Sequence, residues 1–173
     1  AAFAARHPHR LASLALMEPA WFGNEDQSED EIAVREAVEA TESLPYAEML
    51  AAFAQLNVAD DVEIPAPPPG DPPAWMEHRP AGIFAIGPAC RNHTLDLDVL
   101  RSLTCPVLYV RGGRSNPAMY LRMQERAARL FSDFTVEIFE DRHHFDPPHR
   151  SEPERTAELL LSFWERAEAR LPA

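Results

Sequence analysis

Three short apolar runs constrain this chain most: Leu11–Met17, Val107–Val110 and Phe134–Phe139. By length and flanks each suits a strand. The first is apolar almost throughout, as expected of a strand covered on both faces in a parallel sheet. The stretches between and after them carry helical periodicity instead. Strands that alternate with helices argue an α/β architecture with a parallel sheet and flanking helices. Three strands are few for such a sheet. The run at 11–17 is expected to leave an unpaired edge unless another segment completes it.

The order along the chain sharpens this. Residues 1–6 read as the last turns of an apolar helix, stopped at His7-Pro8, because proline cannot donate the next helical hydrogen bond. The strand at 11–17 ends on Glu18-Pro19. Residues 21–98 differ in character and are expected to form a helical cap inserted between core segments 1–20 and 99–173. Within the cap, helices are expected over 28–42, with Ile32, Val34 and Val38 as a thin apolar side, and over 45–57, with Met49, Leu50, Phe53 and Leu56 inward. A third is expected over 80–91. Pro65–Pro73 holds six prolines in nine residues and reads as an extended, polyproline-like segment.

After residue 98 the pattern returns to core. Leu95–Leu100 alternates and leads into the strand that follows Cys105-Pro106. Next come the turn Gly112–Pro117, a helix over 118–131 with Met119, Met123, Ala127 and Leu130 inward, the strand 134–139 and the loop Glu140–Arg150. The final helix is expected to start at Ser151, with Ser151 and Glu154 as a capping box. Ala157, Leu160, Leu161 and Trp164 are its expected buried stripe.

Composition removes several function classes. The 173 residues carry 28 acidic and 16 basic side chains, a net charge of −12, which would repel a phosphate backbone and makes nucleic acid an unexpected partner. No run of about 18 apolar residues exists to cross a bilayer. No membrane partner is therefore expected, and the expected location is cytoplasmic. Two cysteines, Cys90 and Cys105, are too few for a disulfide framework. The chain opens on Ala1-Ala2-Phe3 without Met, as if inside a helix, which points to a piece of a longer protein.

The chemistry concentrates in Arg142-His143-His144-Phe145-Asp146-Pro147-Pro148-His149. In open α/β sheets, reacting groups gather beyond the carboxyl ends of the strands. This loop leaves the carboxyl end of the last strand, so an imidazole here is placed to act as a general base. The plainer alternative is a set of solvated loop histidines. A metal site is a further rival, because His143, His144, Asp146 and His149 are all ligand types. Neither an H-E-x-x-H nor a Cys-His zinc spacing is present, and Pro147-Pro148 holds the segment extended, so no metal is expected. Trp21, Phe22, Trp75 and Met76 lie in or near the cap, where they either pack it onto the core or wall a pocket. Trp21, just after Glu18-Pro19, is the expected substrate-binding residue.

Taken in order, these segments resemble the C-terminal portion of an α/β-hydrolase. The residues that carry the resemblance are Phe3-Ala4-Ala5-Arg6-His7-Pro8 at a helix end, the apolar strand ending on Glu18-Pro19, and Cys105-Pro106-Val107-Leu108-Tyr109-Val110 with Gly112-Gly113. A His-Phe loop and a terminal helix complete it. It covers about 95 residues at the two ends of the chain, and the specificity lies in the order. The resemblance implies hydrolysis of an ester-like, epoxide or halide small molecule, with no organic cofactor. It makes His144, directly before Phe145, the catalytic base, with His143 the main competitor.

The acid follows less directly. The family often places Asp in the turn after the strand at 107–110, and that turn here, Gly112–Pro117, has no carboxylate. Some members place the acid at the end of the preceding strand, where Glu18 stands, so Glu18 is the expected acid. Its alternative role is to cap local backbone amides. Asn116 is a neutral candidate to orient the imidazole, and Asp141 and Asp146 are further carboxylates. The nucleophile elbow, G-x-S-x-G or a variant, is not in this sequence. Ser115 follows two glycines after a strand, but in the wrong chain order. The chain is therefore expected to need an N-terminal half or a partner chain that carries the nucleophile. A non-catalytic relative that keeps the fold for binding is the other reading.

Overall fold

A computed structural model describes residues 1–64, 74 and 79–170. The proline-rich segment 65–73 and the side chains of Trp75, Met76 and His78 lie outside these residues.

Three parallel strands form the core, in the order β1 (Leu14–Met17), β2 (Val107–Gly112), β3 (Phe134–Phe139). Leu16 sits beside Tyr109, and Tyr109 beside Val136. β2 is central and fully covered: Val107, Leu108, Tyr109 and Val110 are all buried. Its alternation sorts the core into two layers. On one face Val107 and Tyr109 pack with Leu16, Phe22, Leu100 and Met123. On the other, Leu108 and Val110 pack with Phe139 and Phe163. The helices are α1 (Ala2–Arg6), α2 (Glu29–Thr41), α3 (Tyr46–Leu56), α4 (Arg79–Arg91), α5 (Leu97–Arg101), α6 (Pro117–Leu130), α7 (Pro148–Ser151) and α8 (Pro153–Glu168). No described helix is long and apolar enough to cross a membrane.

Several sequence expectations need correction. The first strand is shorter than 11–17, because a single 3-10 turn at Pro8–Arg10 takes up the approach to it. It is not covered on both faces: Ala15 is exposed, and β1 lies at the edge of the sheet, with no partner on its outer side among the described residues. Leu95–Leu100 is not an alternating strand-like run. Asp96 accepts the Val99 amide at 3.0 Å and starts the short helix α5. The terminal helix begins at Pro153, and the Ser151–Glu154 capping box does not form. Ser151 ends α7 instead, and its hydroxyl is taken by Asp146. The buried stripe of α8 is Thr156, Phe163 and Ala167, leaving Leu161 and Trp164 exposed. The helix meets only the small sheet face of Leu108, Val110 and Phe139, and Phe163 takes the central place there.

A buried cation ties the start of the 21–64 segment to α6. Arg126 of α6 donates to Glu31 Oε1 at 2.9 Å and to the carbonyls of Phe22 (2.7 Å) and Glu25 (2.9 Å). Both side chains are about 95% buried. Glu31 spends its other oxygen in the capping box that starts α2, accepting the Ser28 amide at 2.9 Å. Removing one member of such a pair strands the other charge in the interior. Arg126→Met should therefore lower unfolding stability by about 3–5 kcal/mol. Denaturant melts of the two proteins test this, and a loss under about 1 kcal/mol would mean the pair is dispensable.

Candidate active site

Glu18 closes β1 with a backbone φ of 39°. That is the left-handed region, which a non-glycine residue occupies at a cost of order 1–3 kcal/mol and which clusters at functional sites. Its amide still continues the ladder, donating to Val110 O at 3.0 Å. The turn aims the carboxylate across the carboxyl end of β2. Oε1 accepts the Gly112 amide at 2.7 Å and the Ser115 hydroxyl at 2.5 Å. Oε2 lies 3.1 Å from Nδ1 of His144. The carboxylate is thus almost fully occupied, with one oxygen held by backbone and hydroxyl and the other turned to the imidazole.

The close approach of the two loops requires glycine. A side chain on Gly112 would come within 2.2 Å of the Arg142 carbonyl, and one on Gly113 within 2.4 Å of the Glu140 carbonyl. Because both positions are bare, the loop after β3 lies directly on the turn after β2. Arg114 N–H donates to Arg142 O at 2.9 Å and Gly113 N–H to Phe139 O at 2.8 Å. This crossing delivers His144 to Glu18.

His144 is about three-quarters buried. Its ring stacks on Tyr120 of α6, with centroids 5.0 Å apart at 23°, and meets the edge of Phe145. A carboxylate facing Nδ1 favours the tautomer with the proton there, leaving Nε2 as the basic nitrogen. His143 stands differently. Its Nδ1 accepts the Phe145 amide at 3.3 Å and its carbonyl accepts the Asp146 amide at 2.8 Å. Burial of the ring pushes its pKa down. It serves the local turn.

The other residues weighed as partners of the imidazole stand apart from it. Asn116 caps α6, accepting the Ala118 amide at 2.9 Å and donating to Leu56 O at 2.7 Å. Asp146 receives Ser151 and the Arg142 guanidinium, and these hydrogen bonds hold its carboxyl below the ordinary range. Asp141 and His149 are exposed. Ser115 is buried and its hydroxyl is spent on Glu18. Among the described residues no group of three or more His, Cys, Asp or Glu gathers as a metal cluster.

A cavity of about 200 Å³ opens beside His144. Trp21, Val34, Val38, Phe53 and Met119 wall it, with Asn57 at its edge. Trp21 is held by its indole N–H, which donates to Asn24 Oδ1 at 2.9 Å. Asn24 in turn donates to the Cys90 and His93 carbonyls at the end of α4, so one residue fixes both the Trp21 ring and the cavity's far wall. Cys90 lines the same space, but burial pushes its thiol up, away from the thiolate. Sequence reasoning missed Tyr120 and Asn57. The expected inward set of α6 began at Met119 and left out Tyr120, which is buried, and nothing in the spacing signals a stacked imidazole.

No family profile matches the sequence, and neither does any curated protein. Solved structures do match in fold. A bacterial membrane phospholipase A is 19% identical with a TM-score of 0.60, over 96% of this chain and 53% of its own. A thermophilic esterase from Thermogutta terrifontis is 17% identical with a TM-score of 0.55, over 95% and 60%. A proline iminopeptidase from Mycobacterium smegmatis is 18% identical with a TM-score of 0.51, over 96% and 60%. The chain spans less than two thirds of the length of each.

Proposed function

From a chain that carries part of the α/β-hydrolase fold, we propose that it supplies the acid and base of a hydrolase, with Glu18 and His144 in those roles. The reading rests on one observation above all. A strand-end carboxylate, already held by two donors, faces the imidazole of a loop residue beside an apolar cavity. In this reading, His144 Nε2 takes the proton from the nucleophile as it attacks, and Glu18 stabilises the imidazolium that forms. An ester-like carbonyl would go through an acyl-enzyme, and an epoxide or halide carbon through an alkyl-enzyme. In the acyl route the imidazolium passes that proton to the departing alkoxide. His144 then takes a proton from the water that attacks the acyl carbon and returns it to the nucleophile's oxygen as the acid leaves. In the alkyl route the nucleophile is a carboxylate with no proton to lose, and the halide or ring-opened alkoxide departs. There His144 acts only on the water that frees the product. Trp21 and the apolar walls bind the substrate's non-reacting arm. The segment around 21–98 is the cap. The nucleophile comes from an elbow-bearing N-terminal half or partner chain, which would pair with the open edge of β1.

The test compares two proteins on short-chain p-nitrophenyl esters. The 173-residue chain alone should not exceed buffer by more than about 10³-fold. A form supplied with an elbow-bearing segment should turn over and be silenced by a serine-directed phosphonate. Phosphonate-sensitive turnover by the chain alone would refute the missing nucleophile. Persistent inactivity of the elbow-bearing form would make this a binding fold.

A further inference from the structure

We infer that Asn57, at the end of α3 in the cap, is a positioning residue that holds both members of the Glu18–His144 pair. The inference rests on reading that pair as acid and base. Asn57 is 2% exposed and every polar group of its side chain is spent. Its Nδ2 donates to Phe53 O at 2.7 Å, closing the last turn of α3. Its Oδ1 accepts the hydroxyl of Tyr120 at 2.7 Å, also in the interior. Tyr120 is the residue whose ring stacks on His144. Along this arm the cap sets the plane of the imidazole.

The second arm runs through the backbone. The Asn57 carbonyl accepts the Asn116 amide at 3.2 Å, and Val58 forms a bridge with Ser115. Ala59 N–H donates to Arg114 O at 2.9 Å, and Asn116 Nδ2 donates to Leu56 O. Residues 56–59 are therefore stitched to the turn that presents Ser115 and the Gly112 amide to Glu18 Oε1. The turn that lacks a carboxylate of its own thus supplies two donors to the carboxylate of the neighbouring strand. Asn57 also edges the cavity.

The readout is the Nδ1 proton of His144, followed by NMR in the 173-residue chain with ¹⁵N-labelled histidine. Tyr120→Phe keeps the ring and its stack but deletes the hydroxyl that Asn57 accepts. Asn57→Ala deletes the acceptor. Each should speed exchange of the Nδ1 proton with water by about 5- to 10-fold, the loss expected for one buried hydrogen bond. Amide protection across β2 should stay unchanged. Unchanged exchange in both variants would overturn the inference. So would a change in Asn57→Ala alone accompanied by lost protection in β2, since that is ordinary destabilisation. A wild-type His144 with no Nδ1 proton would instead bring down the acid–base reading itself, and this inference with it.

Discussion

Replacing His144 with Ala in an elbow-bearing form of the protein should lower kcat by at least about 10³-fold, while His143→Ala should cost less than about 10-fold. The two imidazoles are sequence neighbours with opposite surroundings. His144 has a carboxylate on Nδ1, an aromatic platform beneath its ring and a cavity beside it. His143 accepts a backbone amide two residues on, and burial lowers its pKa. A base must be neutral before the reaction and charged during it. Of the two rings, His144 is the one with a carboxylate oxygen within hydrogen-bond distance of a ring nitrogen. A rate loss of 10³-fold is about 4 kcal/mol of transition-state stabilisation. Steady-state kinetics on matched preparations decide the matter. Equal losses, or a larger loss at His143, would reverse the assignment.

Glu18→Gln should cut the rate by about 10²- to 10⁴-fold while leaving the melting temperature nearly unchanged. The amide oxygen still accepts from Gly112 and Ser115, so the turn keeps its two hydrogen bonds. The amide nitrogen then meets His144 Nδ1 and donates to it. The ring proton moves to Nε2, and the nitrogen that should act as base is blocked. A neutral amide also cannot stabilise the imidazolium. Histidine ¹⁵N shifts would register the tautomer change independently of turnover. Full activity in Glu18→Gln would mean that the carboxylate is structural, as a cap of the β2 turn.

Much of the local structure around Glu18 and His144 follows from the sequence. The strands, the loop that carries His144 and the order of elements depend on local periodicity and on turn residues, which act over a few positions. Where local reasoning failed, a tertiary partner had claimed the residue. Ser151 has the spacing of a helix cap, yet its hydroxyl is held by Asp146, and Pro153 starts the helix two residues later. Trp164 and Leu161 have the spacing of a buried stripe. A sheet of three strands offers α8 only the narrow face that Phe163 fills.

The α/β class, the parallel sheet and the place of the histidine loop after the last strand follow from the sequence alone. It favoured Glu18 as the partner of His144, with Asn116, Asp141 and Asp146 as alternatives, and the 126 positions between Glu18 and His144 left their meeting to the fold. Tertiary structure sets Glu18 beside the imidazole through three long-range facts. The register of β1 on β2 brings Glu18 level with the end of β2. Two bare glycines let the loop after β3 lie on that end. Arg142 and Ser151 hold Asp146, and the start of α6 holds Asn116. Periodicity encodes which face a residue presents to the core. Which distant residue meets it there depends on register and close packing, and these exist only once the chain has folded.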